Sequence, residues 1–119
     1  RGVILTGQVD FKQVYDERVL LYEKYADIID AILREIISRG KGIELNTAGF
    51  KYGLGYPNPT EDVLKRYHEL GGEIITVGAD AHKPEHVAYD FDKVSNILKD
   101  AGFMYYTVFE NRVPAFIKL

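Results

Sequence analysis

Apolar positions recur at two spacings along the chain, and each change of spacing marks a new element. Between residues 20 and 38 the apolar side chains share one face at the roughly 3.6-residue period of an α-helix. The members of this stripe are Leu21, Tyr25, Ile28, Ile29, Ile32 and Ile36. Gly40 follows the last turn, at the position where a left-handed residue commonly caps a helix. This pattern predicts a helix from Leu20 to Ser38.

Two further helices are predicted from apolar stripes with a start signal and a glycine at the end. Asn58 can cap the first of these helices, and Pro59 suits its first helical position. Asp90 can cap the second, which Gly102 closes. The two stripes consist of Val63, Leu64, Tyr67 and Leu70, and of Phe91, Val94, Ile97, Leu98 and Ala101.

Short runs rich in β-branched residues predict four strands, over 3–6, 42–46, 73–77 and 104–109, and Pro114 prevents simple continuation of the last one. Strands that alternate with helices imply parallel strands joined by right-handed crossovers. Four strands and three helices make either a small open sheet or about half of a (β/α) barrel, since a complete barrel takes roughly 250 residues. We therefore expect one α/β domain over residues 1–119, with no internal boundary.

Composition removes several classes of function. Fifteen Lys and Arg against eighteen Asp and Glu give a net charge of −3, which argues against a nucleic-acid partner. The chain contains no Cys, which excludes disulfides and thiolate nucleophiles. No run of about 18 apolar residues spans a membrane, and the first residues lack the features of a secretory signal. We therefore expect a cytoplasmic protein, and the start at Arg1 rather than Met suggests a piece of a longer one.

Asp80 and His82 are the most informative polar pair, because they follow a predicted strand and are two residues apart. Side chains at i and i+2 of an extended segment point the same way, so the carboxylate and the imidazole can converge. Asp oxygen and His nitrogen together suit zinc, manganese or iron. Alternatively, Asp80 caps a turn beside a surface histidine. Two ligands do not hold a catalytic metal alone, since about three protein ligands are needed.

Other candidate residues lie at the remaining strand ends. Asn46 ends a strand and either contacts a substrate or bonds to the backbone of the following loop. That loop, residues 47–57, is rich in glycine and aromatic residues, which is typical of substrate loops. Lys51 within it either meets an anion or stays solvated. Arg112 suits bidentate capture of phosphate, or is a surface residue beside Glu110.

Three segments together resemble a known family. They are Gly-Ile-Glu-Leu-Asn-Thr-Ala-Gly at 42–49, Gly-Gly-Glu-Ile-Ile-Thr-Val-Gly-Ala-Asp-Ala-His-Lys-Pro-Glu-His at 71–86, and Thr-Val-Phe at 107–109 followed by Arg112 and Pro114. They resemble the histidinol-phosphatase members of the PHP (polymerase and histidinol phosphatase) metallohydrolases. The resemblance implies a distorted (β/α)₇ barrel whose cleft holds two or three divalent metal ions. It also implies hydrolysis of a small phosphomonoester, L-histidinol phosphate, in histidine biosynthesis.

The resemblance also implies roles for particular residues. Asp80 would bind or bridge metal ions, and His82 would be a further ligand or the proton donor to the leaving alkoxide. Arg112, Lys51 and Asn46 are the corresponding candidates for contacts with the substrate and its phosphate.

The sequence departs from the family pattern in its first part. The family's His-x-His motif is absent, and Gly7-Gln8-Val9-Asp10 stands where the family has Gly-His-x-Asp. Ala79 also stands where Ser is usual. We therefore expect the C-terminal half of such an enzyme, with an incomplete metal site, no activity alone, and self-association through exposed barrel edges. The alternatives are a degenerate, non-catalytic binding or structural module, and a PHP phosphoesterase with another phosphate substrate.

Overall fold

The computed structural model describes residues 11–119 of the chain. The predicted strand over 3–6 and the segment containing Gln8 lie outside these residues. The helices are α1 (Phe11–Lys24), α2 (Ala26–Ser38), α3 (Ala48–Lys51), α4 (Glu61–Glu69) and α5 (Val94–Asp100). The strands are β1 (Ile43–Asn46), β2 (Ile75–Gly78), β3 (Tyr105–Glu110) and β4 (Val113–Lys118). Short 3₁₀ turns cover Pro84–His86 and Phe91–Lys93.

The long first helix is confirmed and begins earlier than the apolar stripe predicts. It consists of α1 and α2 joined at Tyr25, whose amide donates to Leu21 O at 3.0 Å and whose carbonyl accepts from Ile29 at 2.9 Å. The backbone hydrogen bonding therefore continues through the junction. Gly40 has a φ of 66°, which confirms it as the left-handed residue after the helix.

Strands β1 and β2 are parallel, in a register from Ile43 opposite Ile75 to Asn46 opposite Gly78. The predicted α/β class is thus confirmed, and parallel pairing is confirmed for β1 and β2. One face of this pair packs against α2, α4 and α5 through a buried core of Leu33, Leu45, Leu64, Tyr67, Ile75, Val94, Leu98, Ala101 and Phe103. Because side chains alternate along a strand, Glu44, Asn46 and Thr76 lie on the face away from that core.

Strands β3 and β4 form an antiparallel hairpin, which the sequence analysis did not predict. It ended the strands at Phe109 and took Pro114 as a barrier, whereas Pro114 lies in β4 opposite Phe109. Asn111 and Arg112 have φ values of 51° and 65°, which suits the two-residue turn of a hairpin. The hairpin approaches β2 through a side chain, since Ile75 N donates to Thr107 Oγ1 at 3.1 Å.

Two predicted helix caps are wrong. The backbone of Asn58 instead pairs with that of Asn46, with N–O distances of 2.8 and 2.9 Å, and α4 begins at Glu61. Asp90 has a φ of 56° and makes no capping bond; its carboxylate accepts from Lys93 Nζ at 2.8 Å. Asn58 is thus engaged by a distant strand, whereas the Asp90 carboxylate binds a nearby side chain instead of the backbone N–H groups.

A buttressing ion pair joins α2 to α4. Arg66 Nε and Nη2 donate to the two carboxylate oxygens of Asp30 at 2.8 and 2.5 Å. The hydrogen bond from Arg66 lowers the pKa of Asp30, and the same bond raises the pKa of Arg66. Over residues 11–119, none of the helices has both the length and the apolar character that crossing a bilayer requires.

Candidate functional site

The candidate site lies where β1 and β2 end side by side. Asn46 and Gly78 are the last paired residues of the two strands, so the segments that follow them start as neighbours. After β1 the chain turns through Thr47 into α3, and after β2 it enters the loop that contains Asp80 and His82. Reactive groups in parallel α/β folds collect at this end of the strands.

Asp80 and His82 are brought together as the sequence predicts. His82 Nδ1 lies 4.0 Å from Asp80 Oδ1, and the side chains of His82 and Asp80 are 73% and 57% exposed. His82 Nδ1 also lies 2.9 Å from the carbonyl oxygen of Asp80. A carbonyl only accepts, so this hydrogen bond favours the tautomer with the proton on Nδ1. Nε2 is then the nitrogen with a lone pair available for a metal ion.

Lys51 contacts the same loop. This contact is neither the anion binding nor the solvated charge that the sequence analysis considered. Its ammonium donates to the carbonyl oxygens of Ala79 and Asp80, at 3.0 and 2.9 Å. The Nζ atom also lies 5.0 Å from the centre of the Tyr52 ring. Lys51 is therefore bound to backbone oxygens of the loop that carries Asp80 and His82.

Thr47 is a supporting residue that the sequence analysis missed. It is fully buried; its amide donates to Gly78 O at 2.8 Å, and its hydroxyl donates to Tyr89 O at 2.6 Å. The contact to Tyr89 spans 42 positions, so only its place directly after a strand end could have drawn attention to it. Thr47 ties the start of α3 to the segments that follow β2.

Gly49 allows α3 to pack closely against the chain that follows it. A Cβ atom at Gly49 would meet the carbonyl oxygen of Tyr56 well inside van der Waals contact, so no larger residue fits without movement. The loop over 47–57 therefore includes an ordered helical turn rather than an irregular loop alone.

The Asn46 side chain bonds to the backbone of the following turn. Its Oδ1 accepts from Ala48 N at 2.8 Å, and its Nδ2 donates to Glu44 Oε1 at 3.1 Å. This geometry supports the interpretation in which Asn46 ends the strand by bonding to loop backbone. The Glu44 carboxylate lies over Gly78, where a Cβ would come within 2.7 Å of Oε2.

Arg112 is not brought into contact with Asp80 or His82. It lies in the exposed turn between β3 and β4, and no hydrogen bond or ion pair joins it to another residue within 11–119. The anticipated pairing with Glu110 is therefore not formed either. The turn leaves its guanidinium available to an anion.

The other two histidines have packing contacts. His68 is half-buried, and its ring centre lies 4.8 Å from that of Phe103. His86 contacts the ring of Tyr89 edge-on at 5.9 Å. His82 is thus the histidine whose surroundings suit metal binding.

The described residues fit part of a metal site. Within residues 11–119, no group of three or more His, Cys, Asp or Glu side chains is arranged to hold a metal ion. The loop after β2 supplies one carboxylate and one imidazole, both accessible, whereas a catalytic zinc ion takes about three protein ligands. Any further ligand for such an ion has to come from outside these residues.

The fold and the loop thus define an α/β segment that presents an exposed carboxylate and an exposed imidazole beyond parallel strands. No family model matches the chain. It is 39% identical over 83 residues to the "Probable histidinol-phosphatase" of Thermotoga maritima, covering 69% of this chain and 35% of that protein. It is 34% identical over 87 residues to the protein of the same name from Clostridium acetobutylicum, covering 73% of this chain and 32% of that protein.

A solved structure agrees with these relatives. The histidinol phosphate phosphatase of Lactococcus lactis, determined with zinc, L-histidinol and phosphate, matches with a TM-score of 0.65 and 27% identity. The match covers 79% of this chain and 35% of that one. The chain therefore spans about a third of the length of the relatives it matches. The resemblance stated from the sequence is confirmed, and these matches support a fragment of the histidinol-phosphatase type.

Proposed function

We propose that this chain forms the C-terminal part of a PHP-type histidinol-phosphatase with a distorted (β/α)₇ barrel. The reaction is hydrolysis of L-histidinol phosphate to L-histidinol and phosphate in histidine biosynthesis, in the cytoplasm. The observation that carries this proposal is the exposed Asp80–His82 pair beyond β2, in a segment 39% identical to a relative named for this activity. The Lactococcus structure with zinc, L-histidinol and phosphate supports it.

Asp80 and His82 are the metal-binding and catalytic residues of the proposal. The Asp80 carboxylate would hold the metal ions. His82 would be a further ligand through the lone pair of Nε2 or, as the imidazolium, would donate its Nε2 proton to the leaving alkoxide. When bound, two or three divalent ions of zinc, manganese or iron would lower the pKa of a water molecule bound to them and neutralise charge on the phosphate. The hydrogen bond from His82 Nδ1 to the Asp80 carbonyl orients the imidazole for either role.

Arg112 is the proposed phosphate contact, because its guanidinium has no partner within residues 11–119 and suits bidentate binding. Lys51 and Asn46 are proposed as additional substrate contacts. Lys51 uses two of its three N–H donors on loop carbonyls, and Asn46 uses one of its two amide N–H groups on Glu44. Each keeps one donor for a substrate oxygen.

The chain alone is proposed to be inactive, because residues 11–119 contain no complete ligand group. We also propose that it self-associates through its uncovered strand edges, since all six residues of β4 are exposed. Light scattering of the purified chain measures this, and a strict monomer at high concentration would contradict self-association. The retained ligand pair favours the enzyme over a non-catalytic module.

A chimera tests the proposed activity. This chain replaces the matching third of the Thermotoga maritima protein, and zinc content and phosphate release from L-histidinol phosphate are measured. We expect the chimera to bind zinc and release phosphate. Asp80→Ala and His82→Ala should each lower zinc affinity, the rate of phosphate release or both by about 100-fold or more. His86→Ala is the matched control, since His86 has only a ring contact with Tyr89.

Two outcomes would contradict the proposal. One is a chimera whose Asp80→Ala and His82→Ala variants keep wild-type metal content and rate. The other is a chimera that folds, as judged by circular dichroism and a cooperative thermal transition, yet binds no zinc and releases no phosphate. The second result would favour the non-catalytic module, and activity on other phosphomonoesters alone would favour a different substrate.

A further inference from the structure

The ammonium group of Lys51 is held by the backbone of another loop, which is unusual for a lysine near a protein surface. It donates to two consecutive carbonyl oxygens, of Ala79 at 3.0 Å and of Asp80 at 2.9 Å. Hydrogen bonds from a charged donor are stronger than those between neutral groups. The side chain gives up much of its rotamer freedom to make them, so the contact constrains both Lys51 and the loop.

The backbone that Lys51 contacts is in a conformation that needs support. Asp80 has a φ of 49°, in the left-handed region that residues with a Cβ rarely adopt. Such conformations persist where surrounding contacts over-determine them. The two bonds from Lys51 fix the orientations of the peptide groups on either side of the Asp80 Cα. They therefore also fix the direction of the Cα–Cβ bond that carries the Asp80 carboxylate.

One oxygen atom links Lys51 to His82. The carbonyl oxygen of Asp80 accepts from Lys51 Nζ, and His82 Nδ1 lies 2.9 Å from the same atom. A carbonyl oxygen has two lone pairs and can accept both bonds. Holding this oxygen in place therefore holds the proton on Nδ1 and leaves Nε2 as the free ligand nitrogen.

Lys51 reaches the loop from a fixed base. It is the last residue of α3, whose start is bound through Thr47 to Gly78 O and Tyr89 O. Close packing of Gly49 on the Tyr56 carbonyl limits any movement of the same turn. The ammonium therefore acts from a rigid support rather than from a free loop.

We propose that Lys51 is a positioning residue that sets the backbone of Asp80 and the tautomer of His82 for metal binding. This role is distinct from the substrate contact suggested by the sequence, and as far as metal is concerned it rests on the proposed function. Lys51→Met removes the two bonds and keeps a side chain of similar length. Lys51→Arg restores a cation with several donors.

Nitrogen NMR of the histidines tests the proposal on the full chain without metal. Long-range ¹H–¹⁵N spectra distinguish the two tautomers, and His68 and His86 serve as internal references. We expect His82 to be mainly Nδ1-protonated in the wild type, a mixture in Lys51→Met, and restored in Lys51→Arg. Calorimetric titration of the chimera with zinc should show binding about tenfold weaker for Lys51→Met than for the unchanged chimera.

Lys83→Met is the matched control, since it removes the same charge from the same loop. The Lys83 side chain is exposed and makes no hydrogen bond or ion pair within residues 11–119, and its carbonyl, which accepts from His86 N, is kept in the variant. Its spectra and zinc binding should be those of the wild type. If Lys51→Met does not fold, Lys51→Gln, which keeps a neutral donor, is used in the same measurements.

The proposal is overturned if the Lys51 variants leave the His82 tautomer unchanged, or if Lys83→Met changes it equally. It is also overturned if Lys51→Arg fails to restore the His82 signals while keeping the wild-type thermal midpoint. If Lys51→Met shifts the His82 signals but no form of the chain or of the chimera binds zinc, positioning is supported and the proposed metal-dependent activity fails.

Discussion

The helix-covered face of the β1–β2 pair and the loops at the ends of these strands are stabilised by different interactions. The helix-covered side consists of apolar residues such as Leu45, Leu64 and Ile75, each fully buried. The strand ends carry Asp80 and His82, both largely exposed, on a loop whose support is hydrogen bonds to its main chain. The apolar layer therefore supplies stability, and the strand-end loops supply geometry. The two kinds of support should respond differently to mutation.

The largest expected change in stability comes from the apolar layer. Leu64→Ala removes a fully buried side chain from the contact between α4 and the strands. We expect it to lower the free energy of unfolding by about 2–5 kcal/mol, measured by urea denaturation. Leu20→Ala is the control, because Leu20 is 64% exposed and should change it by less than about 0.5 kcal/mol. Equal losses from the two variants would contradict the assignment of the core.

Thr47→Val should have an intermediate effect. It keeps the shape of the side chain but leaves the Tyr89 carbonyl without the hydroxyl donor at 2.6 Å. We expect a loss of about 1–2 kcal/mol in urea denaturation, with faster amide exchange in the segment around Tyr89. Thr76→Val, on the open face of β2, is the matched control. If Thr47→Val has the same stability and the same amide exchange rates as this control, Thr47 does not support the site.

Asp30→Asn should change how stability depends on pH. The Asp30 pKa is lowered chiefly by the hydrogen bond from Arg66, below an ordinary value of about 3.9. The pair therefore stabilises the fold at pH values above the ordinary value, and this contribution disappears as pH falls through the lowered one. Thermal midpoints between pH 2 and 6 should fall less steeply in Asp30→Asn than in the wild type. Arg66→Gln should flatten the same region, and an unchanged slope in both would exclude this pair as a cause.

The smallest expected change in stability is at the site itself. His82→Ala removes a side chain that is 73% exposed, so the free energy of unfolding should stay within about 0.5 kcal/mol of the wild type. Urea denaturation of the metal-free chain provides the measurement. A loss comparable to that of Leu64→Ala would mean that the loop contributes to the core, and the distinction between the two sides would not hold.

The sequence predicted those features that local patterns control. The parallel strands β1 and β2 and the long first helix follow from apolar spacing and glycine positions. Asp80 and His82 are close as predicted, but in a loop with a left-handed Asp80 rather than in the extended segment that the i, i+2 rule assumes. The α/β class is accordingly confirmed. The resemblance to histidinol-phosphatases came from contiguous segments, which a single sequence displays directly.

Features that depend on distant residues were missed or mistaken. Lys51 bonds to residues 28 and 29 positions away, and no local pattern indicates this partner. Asn58 looks like a helix cap, but its backbone pairs with Asn46 across the fold. Pro114 suggested that the strands end, yet proline is tolerated at the edge of a sheet, where its missing N–H faces no partner strand.

Lys51 holds the Asp80 loop through main-chain oxygens, so the contact does not depend on the side chains of the residues that supply those oxygens. Substitution at position 79 changes a side chain but leaves in place the two carbonyl groups to which Lys51 donates. The loop can therefore exchange Ala79 for Ser and keep its course. Substitution of Lys51 differs, because one change there removes both hydrogen bonds to the loop. The course of the loop should thus tolerate substitution at position 79 and depend on the distant Lys51, whereas Asp80 and His82 are also constrained by their proposed metal-binding roles.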